Sequence, residues 1–365
     1  MILHFYIARR FLRTFGIVLS VFIAILLPLD LAEQIRRVDA TETAFASALQ
    51  LSLLNLPGLL YGMLPLFVMI ATLFLFLGLA RTSELVVVRS SGRSAFRQTL
   101  SPVMVAVLLG LVGITVINPI VAATERQYEL RITTTRTGEA RTLSVSSEGL
   151  WLRQGSELGQ TVIRASQANA NGTLLSEASF FVYDPDGNVT ERIDAVRARL
   201  TNGAWILESA KLWPLGHAEN PEAASEVHAT YTLASTLTVE QIRDSFARPQ
   251  TVSIYELPGF IADLNRAGFA ALTHRVWFQM ELSNPLMLAA MVLIGAAFTM
   301  RHTRFGRTGV MVLMAILFGF GVYFIRNFAQ VLGETAQLPI ILVAWVPPAA
   351  AILLALGVIL HVEDG

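Results

Sequence analysis

The sequence predicts an α-helical membrane protein with six transmembrane helices, three on each side of an inserted all-β, jellyroll-like domain. Three observations carry this. Of 365 residues, 54% are hydrophobic and only 15% are charged, against about 25% charged in soluble domains. The apolar residues are gathered in six charge-free stretches near the two ends. The middle of the chain, about 125–275, instead has short alternating runs separated by turn residues.

The six stretches are Thr14–Leu29, Thr43–Ala80, Gln98–Thr124, Leu282–Met300, Thr308–Ile325 and Thr335–Leu360. A spanning helix needs about 20 mostly apolar residues. The first is short but is extended by a snorkelling Arg13. The second is too long for one span, and Asn55-Leu56-Pro57-Gly58 predicts a turn with the span proper at Leu59–Leu79. Arginine placement sets the topology. Arg9, Arg10 and Arg13 precede span 1; Arg81, Arg89, Arg93 and Arg97 separate spans 2 and 3; Arg301, Arg304 and Arg307 separate spans 4 and 5. Arg36, Arg37 and Arg326 lie on the other side. Both termini are therefore expected in the cytoplasm, with the long insert outside.

Within the insert, Gly149–Leu152, Thr161–Ile163, Phe180–Tyr183, Ala204–Leu207 and Val227–Leu233 read as strands. Asp184-Pro185-Asp186-Gly187-Asn188 and Asn202-Gly203 read as hairpin turns. The spacing predicts a sandwich or jelly roll of about seven to nine strands. Leu237–Phe246 and Tyr255–Ala267 read as helices leading back to the membrane. The expected domains are 1–124, holding an interfacial helix, three spans and a short cytoplasmic helix near 82–92; 125–275, the β domain; and 276–365, the last three spans. The zero net charge hides an asymmetry: residues 125–281 hold fourteen basic and nineteen acidic groups, and the remainder is correspondingly basic.

Chemistry is mostly excluded. No cysteine is present, which removes disulfides, thiolate metal sites and a cysteine nucleophile. The single lysine, Lys211, lies between Ala210 and Leu212, so the chain has no Gly-Lys-Ser/Thr phosphate loop. His4, His217, His228, His274, His302 and His361 show no metal-binding spacing. No cofactor, no metal and no nucleic-acid partner are expected. Asp30, at the outer end of span 1, reads as a solvated helix end, with an ion-driven transporter as the competing reading.

Two features remain. The loop Arg81–Arg93 can form a short cytoplasmic helix, capped by Thr82 or Ser83, favoured by Glu84 near its N-terminus and ended by Gly92. It reads either as an interfacial helix on lipid or as a peg inserted into a cytoplasmic partner that supplies mechanical work. Arg36 and Arg37, at the outer end of span 1, read either as a solvated helix end or as a clamp for phosphate or carboxylate headgroups. A membrane scaffold or sensor presenting a β domain is the competing function. An intramembrane enzyme lacks a catalytic constellation.

The chain resembles the LptF/LptG permeases of the lipopolysaccharide exporter, on the LptG side of that family. The resemblance rests on Ser83-Glu84-Leu85-Val86-Val87-Val88-Arg89-Ser90-Ser91-Gly92, on Tyr6–Leu12, Asn118-Pro119, Gly149-Leu150-Trp151, Pro285-Leu286 and Leu338-Pro339. It implies a permease subunit in a Gram-negative inner membrane, without its own nucleotide site. It implies an LptF-like second permease, an LptB-like ATPase dimer, an LptC-like single-span β-jellyroll protein and an LptA-like periplasmic bridge. Lipopolysaccharide would be drawn from the membrane and handed along that bridge. The paralogous LptF-type subunit is the alternative. The resemblance assigns ATPase coupling to Glu84, Leu85, Val88, Arg89 and Gly92. It assigns headgroup binding to Arg36 and Arg37, with Arg126, Arg131 and Arg326 as weaker candidates. Spans 1 and 5 would line the cavity, with Phe318, Phe320 and Phe324 on span 5. Asp30 and Glu281 stand where relatives often carry basic residues, which implies altered headgroup contacts.

Overall fold

The computed structural model describes residues 2–37, 44–82, 84, 95–136, 143–146, 149–156, 159–169, 172–201, 203–216, 220–235, 237, 248–266, 271–299 and 308–364. The chain divides into two compact units. The first is Met1–Arg131, Gln250–Tyr255 and Leu272–Gly365; the second is Ile132–Pro249 and Glu256–Ala271.

In the first unit, α1 covers Ile2–Arg37, α2 Ala44–Gly62, α3 Leu64–Arg81 and α4 Ala95–Val112. A π-helical turn, Gly113–Ile117, joins α4 to α5 (Asn118–Arg136). Among the described residues, six helices are long and apolar enough to cross a membrane: those around 3–36, 64–81, 97–132, 272–299, 309–334 and 340–361. The second apolar stretch is divided differently from the expectation. Asn55–Gly58 stays helical within α2, and the break falls at Met63. The reason is Pro65, which has no N–H to continue the ladder and suits the first turn of α3. Unbroken, residues 44–81 would run about 57 Å, nearly twice the hydrocarbon thickness.

The remaining spans are α7 (Leu272–Thr299), α8 (Thr308–Glu334) and α9 (Ile340–Asp364), with α6 (Leu257–Arg266) in the second unit. The most enclosed span is α7: Met287, Leu288, Ala290, Met291, Val292 and Ile294 are all fully buried. Lipid tails give no hydrophobic drive for helix association, so close packing of small residues holds the bundle. A Cβ at Gly110 would lie 2.5 Å from the Pro285 Cα, so α4 meets α7 backbone to backbone. Gly295 meets the Thr72 side chain in the same way, and Gly319 on α8 leaves room only for Met69. The π turn has a purpose in the packing. Its Thr115 carbonyl accepts the Tyr255 hydroxyl at 3.0 Å, and Asn118 Oδ1 accepts the Ile254 N–H at 2.9 Å. The return segment 250–255 is thereby fixed to α5.

The second unit is a single antiparallel sheet whose strands follow chain order: β1 (Leu143–Ser146), β2 (Gly149–Ser156), β3 (Gly159–Ala168), β4 (Leu174–Tyr183), β5 (Val189–Thr201), β6 (Ala204–Pro214) and β7 (Glu226–Ala234). The hairpin at Asp184–Asn188 forms as expected, with Gly187 at φ +87°. The inward alternation of apolar residues slips by one position in β4, β5 and β6 together. The slip runs along the row Glu177, Val196 and Ser209, and Glu177 and Ser209 hold φ of +51° and +54°. This row is a crease across the sheet. At the end of β7, Ser235 donates to Gln154 Oε1 at 2.7 Å, and Gln154 Nε2 donates to the Ala234 carbonyl. Since β2 and β7 are not neighbours in the sheet, these bonds show the sheet rolled onto itself. Its interior holds Leu150, Leu152, Ile163, Phe180, Ile193, Trp205 and Leu207, and α6 covers it with Phe260, Ile261 and Leu264.

Candidate functional site

The least enclosed spans of the first unit are α1 and α8, although α4 and α9 also carry exposed apolar side chains. On α8, Ala315, Gly319 and Val322 face the bundle at helical spacing. Leu313, Leu317, Phe320, Phe324, Phe328 and Val331 face away, and the Phe324 and Phe328 rings stack 6.4 Å apart. Of the three phenylalanines expected to line a cavity, Phe320 and Phe324 lie on the open face. Phe318 turns inward, where its ring meets Phe298 at 5.9 Å. Phe328 extends the open face and was not singled out by sequence reasoning, although its i+4 spacing from Phe324 was available.

Three of the arginines expected at the headgroup level are exposed: Arg36, Arg126 and Arg131. Arg36 forms a 2.5 Å ion pair with Glu33 one turn back, with three quarters of its side chain in the open. Arg131 donates to Gln50 Oε1 at 2.6 Å. Arg37 ends α1, and its side chain lies outside the described set. Arg326 is different. It points into the bundle, within the electrostatic reach of Glu281, and its Nε is sequestered without a hydrogen-bond partner.

Among the described residues of the first unit, Glu281 is the most deeply placed acid, at 2% exposure. Its Oε2 accepts the Tyr61 hydroxyl at 2.5 Å. Asn118 and Asn284 lie beside the same tyrosine, so α2, α5 and α7 meet in one polar knot with Arg326 of α8 facing it. An ionisable group inside a span is expensive and marks function or a specific packing demand. Asp30 is also not a freely solvated helix end. Its Oδ1 accepts from Asn55 at 2.7 Å and from Gln34 at 3.4 Å, while its Oδ2 is enclosed without a partner. Gln34, 1% exposed, donates also to Tyr128 at 3.0 Å.

At the opposite end of α1, Glu84 is gripped by its own chain. Arg10 Nη1 donates to Glu84 Oε1 and Oε2 at 2.8 and 2.9 Å. The Tyr6 hydroxyl donates to Oε2 at 3.0 Å, and Thr82 Oγ1 lies 2.7 Å from Oε1. Partial burial pushes the Glu84 carboxyl up, but the hydrogen bonds from Arg10, Thr82 and Tyr6 outweigh it and hold the group below the ordinary carboxylate range. The contact is therefore fully present at neutral pH. It is lost only as the pH falls through that lowered value. Leu85, Val88, Arg89 and Gly92 lie outside the described residues. Among the described residues no cluster of three or more His, Cys, Asp or Glu side chains could hold a metal.

The family described as lipopolysaccharide export system permease LptF/LptG matches residues 5–361 of this chain. The chain belongs to the LptF/LptG family. Among curated relatives, the lipopolysaccharide export system permease protein LptG of Escherichia coli strain K12 is 22% identical over 98% of this chain and 97% of its own length. That of Haemophilus influenzae is 21% identical over 91% of this chain and 89% of its own. The match runs through both units, so the six apolar helices and the inserted β domain together are the LptF/LptG architecture. Against that architecture, the Glu281–Tyr61 and Arg10–Glu84 contacts are pairings that sequence reasoning missed, as it missed the Asn55 and Gln34 bonds to Asp30. The first two join residues 74 or more positions apart, a pairing that no local pattern reveals.

Proposed function

We propose that this chain is a permease subunit of an ATP-driven exporter that draws lipopolysaccharide out of the inner membrane. The full-length family match carries this reading, and the open faces of α1 and α8 support it. Exposing a lipid chain to water costs about 0.8 kcal/mol per CH₂, so a multi-acyl lipid needs an apolar enclosure and a source of energy. One chain supplies half an enclosure, and a second LptF- or LptG-type subunit closes it. The chain lacks a phosphate loop of its own, so a separate LptB-like ATPase dimer drives the cycle from the cytoplasmic side. The segment beginning at Glu84 is the place where that ATPase acts. The β domain lies in the periplasm and takes part, with an LptC-like protein and an LptA-like bridge, in the onward path. Both termini are cytoplasmic. The LptG-type subunit is our reading, supported by the names of the curated relatives, with the LptF-type as the alternative.

Arg36, Arg126 and Arg131 are the exposed cations that meet headgroup phosphates, as charge-assisted donors. Arg326 serves the knot around Glu281 instead. The test uses the two-sidedness of α8. A photo-activatable amino acid at Phe324, 61% exposed, is expected to capture lipopolysaccharide in cells. The same probe at Phe318, packed on Phe298, is expected to capture none. Equal capture at both positions, or none at Phe324, contradicts a lipid path along this face.

A further inference from the structure

Arg326 is the odd member of the inward stripe of α8. At helical spacing that stripe reads Ala315, Gly319, Val322, Arg326, Ala329 and Gly333. The others are small or apolar and bring the helix close to its neighbours. Gly319 makes room for Met69 of α3, Ala329 packs on the cluster of Val276 and Met280 in α7, and a Cβ at Gly333 would lie 2.9 Å from the Val343 side chain of α9. Arg326 alone puts a charge into this seam. It faces Glu281 and the Tyr61 and Tyr323 hydroxyls, yet among the described residues no hydrogen bond or ion pair closes on it, and its Nε is enclosed without a partner. Across the seam on α7, Asn284 lies one turn beyond Glu281 and is 4% exposed. It sits beside Tyr61, and its Oδ1 is enclosed without a partner. One polar knot therefore holds an unpaired donor on α8, an unpaired acceptor on α7, and opposite charges that face each other without an ion pair.

Buried polar groups are normally satisfied, and a buried charge costs most when its partner is out of reach. A donor and an acceptor left over on two adjoining helices mean that a closer seat of α8 would satisfy both at once. We infer that Glu281, Asn284 and Arg326 form a latch with two settings, which fixes the position of α8 during transport. In the released setting, the one described above, Glu281 accepts from Tyr61 and Arg326 stays unpaired. In the engaged setting the rigid fork of the guanidinium spans the Glu281 carboxylate and Asn284 Oδ1. The surroundings permit the shift. Small side chains stand on the stripe to either side of Arg326, the Met69 side chain against Gly319 is flexible, and α8 is among the least enclosed spans. The Tyr323 hydroxyl donates to the Gly62 carbonyl at 3.1 Å and gives the helix a pivot near the knot. Phe320, Phe324 and Phe328 lie on the opposite, open face, so drawing Arg326 inward draws them toward the bundle and narrows the apolar enclosure. The latch rests on the proposed function, in that the outer face of α8 lines the lipid path. Glu281 and Arg326 are positioning residues that touch no lipid themselves.

The chain has no cysteine, so spin labels sit only where cysteines are introduced. Labels at Val331 of α8 and Ile120 of α5, both exposed, report the seat of α8. They are read in the complex with its second permease and ATPase, without nucleotide and with an ATP analogue that is not hydrolysed. Wild type is expected to show two Val331–Ile120 distances whose populations shift with nucleotide. Glu281→Gln, which keeps an acceptor for Tyr61, and Arg326→Gln should each leave one distance in both conditions. Each should also lower ATP-dependent transfer of lipopolysaccharide to a soluble acceptor by about tenfold, within the usual range for coupling between sites. Arg326→Lys keeps the charge without the fork and should fall between. Exchanging the pair, Glu281→Arg with Arg326→Glu, should bring back the second distance and part of the transfer. A contact that only stabilises the fold would change the melting temperature and leave the nucleotide-dependent shift intact. One distance in every wild-type condition, with transfer still driven by ATP, overturns the latch and leaves the proposed function standing. A shift that persists unchanged in both glutamine variants does the same, since the knot is then a fixed contact. No ATP-dependent transfer by the unlabelled wild-type complex overturns the proposed function and the latch with it.

Discussion

Glu281→Ala is expected to be the most damaging single substitution in the membrane unit. The carboxylate is 2% exposed and accepts the Tyr61 hydroxyl, with Asn118 and Asn284 alongside and Arg326 facing it. Truncation leaves a buried hydroxyl without its acceptor and a guanidinium without its counter-charge. Breaking such an arrangement by removing one partner costs about 3–5 kcal/mol. Glu281→Gln keeps an oxygen for Tyr61 and loses only the charge, so it is expected to fall between alanine and wild type. Thermal loss of helical circular dichroism in detergent should rank the three as wild type, glutamine, alanine. An alanine variant that melts with the wild type would show that Tyr61 and Arg326 find other partners, and the knot would then contribute no stability.

Trp205→Ala is expected to have the corresponding effect on the β domain. Trp205 is fully buried and meets Phe180 edge-on at 6.0 Å, in the centre of the rolled sheet. Removing a buried aromatic of this size costs about 3–5 kcal/mol, a large share of a domain's total stability. The indole Nε1 has no hydrogen-bond partner, and an enclosed, unpaired donor itself costs about 1–3 kcal/mol. Trp205→Phe removes that donor while filling most of the space, so it should lie close to wild type. Amide hydrogen exchange in β4, β5 and β6 separates the two: fast exchange in the alanine variant, near-native protection in the phenylalanine variant. Equal protection in all three would mean that Trp205 does not organise the core.

The legible parts of the molecule are those governed by local pattern. Six spans could be read because a bilayer demands long charge-free stretches, and the hairpin at Asp184–Asn188 because its turn demands particular residues. β5 was not named as a strand, since Val189–Thr201 carries five charged residues, Arg192, Asp194, Arg197 and Arg199 on its outward face and Glu191 on the same side as the buried Ile193, which hides the alternation. The break between α2 and α3 was placed too early, because Pro57 and Gly58 resemble a turn. Gly58 in fact makes room for the Glu125 side chain, a neighbour from α5 that only the fold supplies. The arginines show the same limit. Arg36, Arg131 and Arg326 are alike in sequence terms, yet two are exposed and one faces a buried acid. Glu84 was visible as a helix-start residue, but its partners Arg10 and Tyr6 come from α1, 74 and 78 positions away.

The proposed function makes this chain half of an ATP-driven path for lipopolysaccharide. The most direct measurement reconstitutes it with its second permease and ATPase in proteoliposomes containing lipopolysaccharide, then follows lipid transfer to a soluble periplasmic acceptor. Transfer is expected to require ATP and to be abolished when the ATPase cannot hydrolyse it. Transfer at the same rate without ATP, or none while the ATPase turns over normally on the complex, would contradict it.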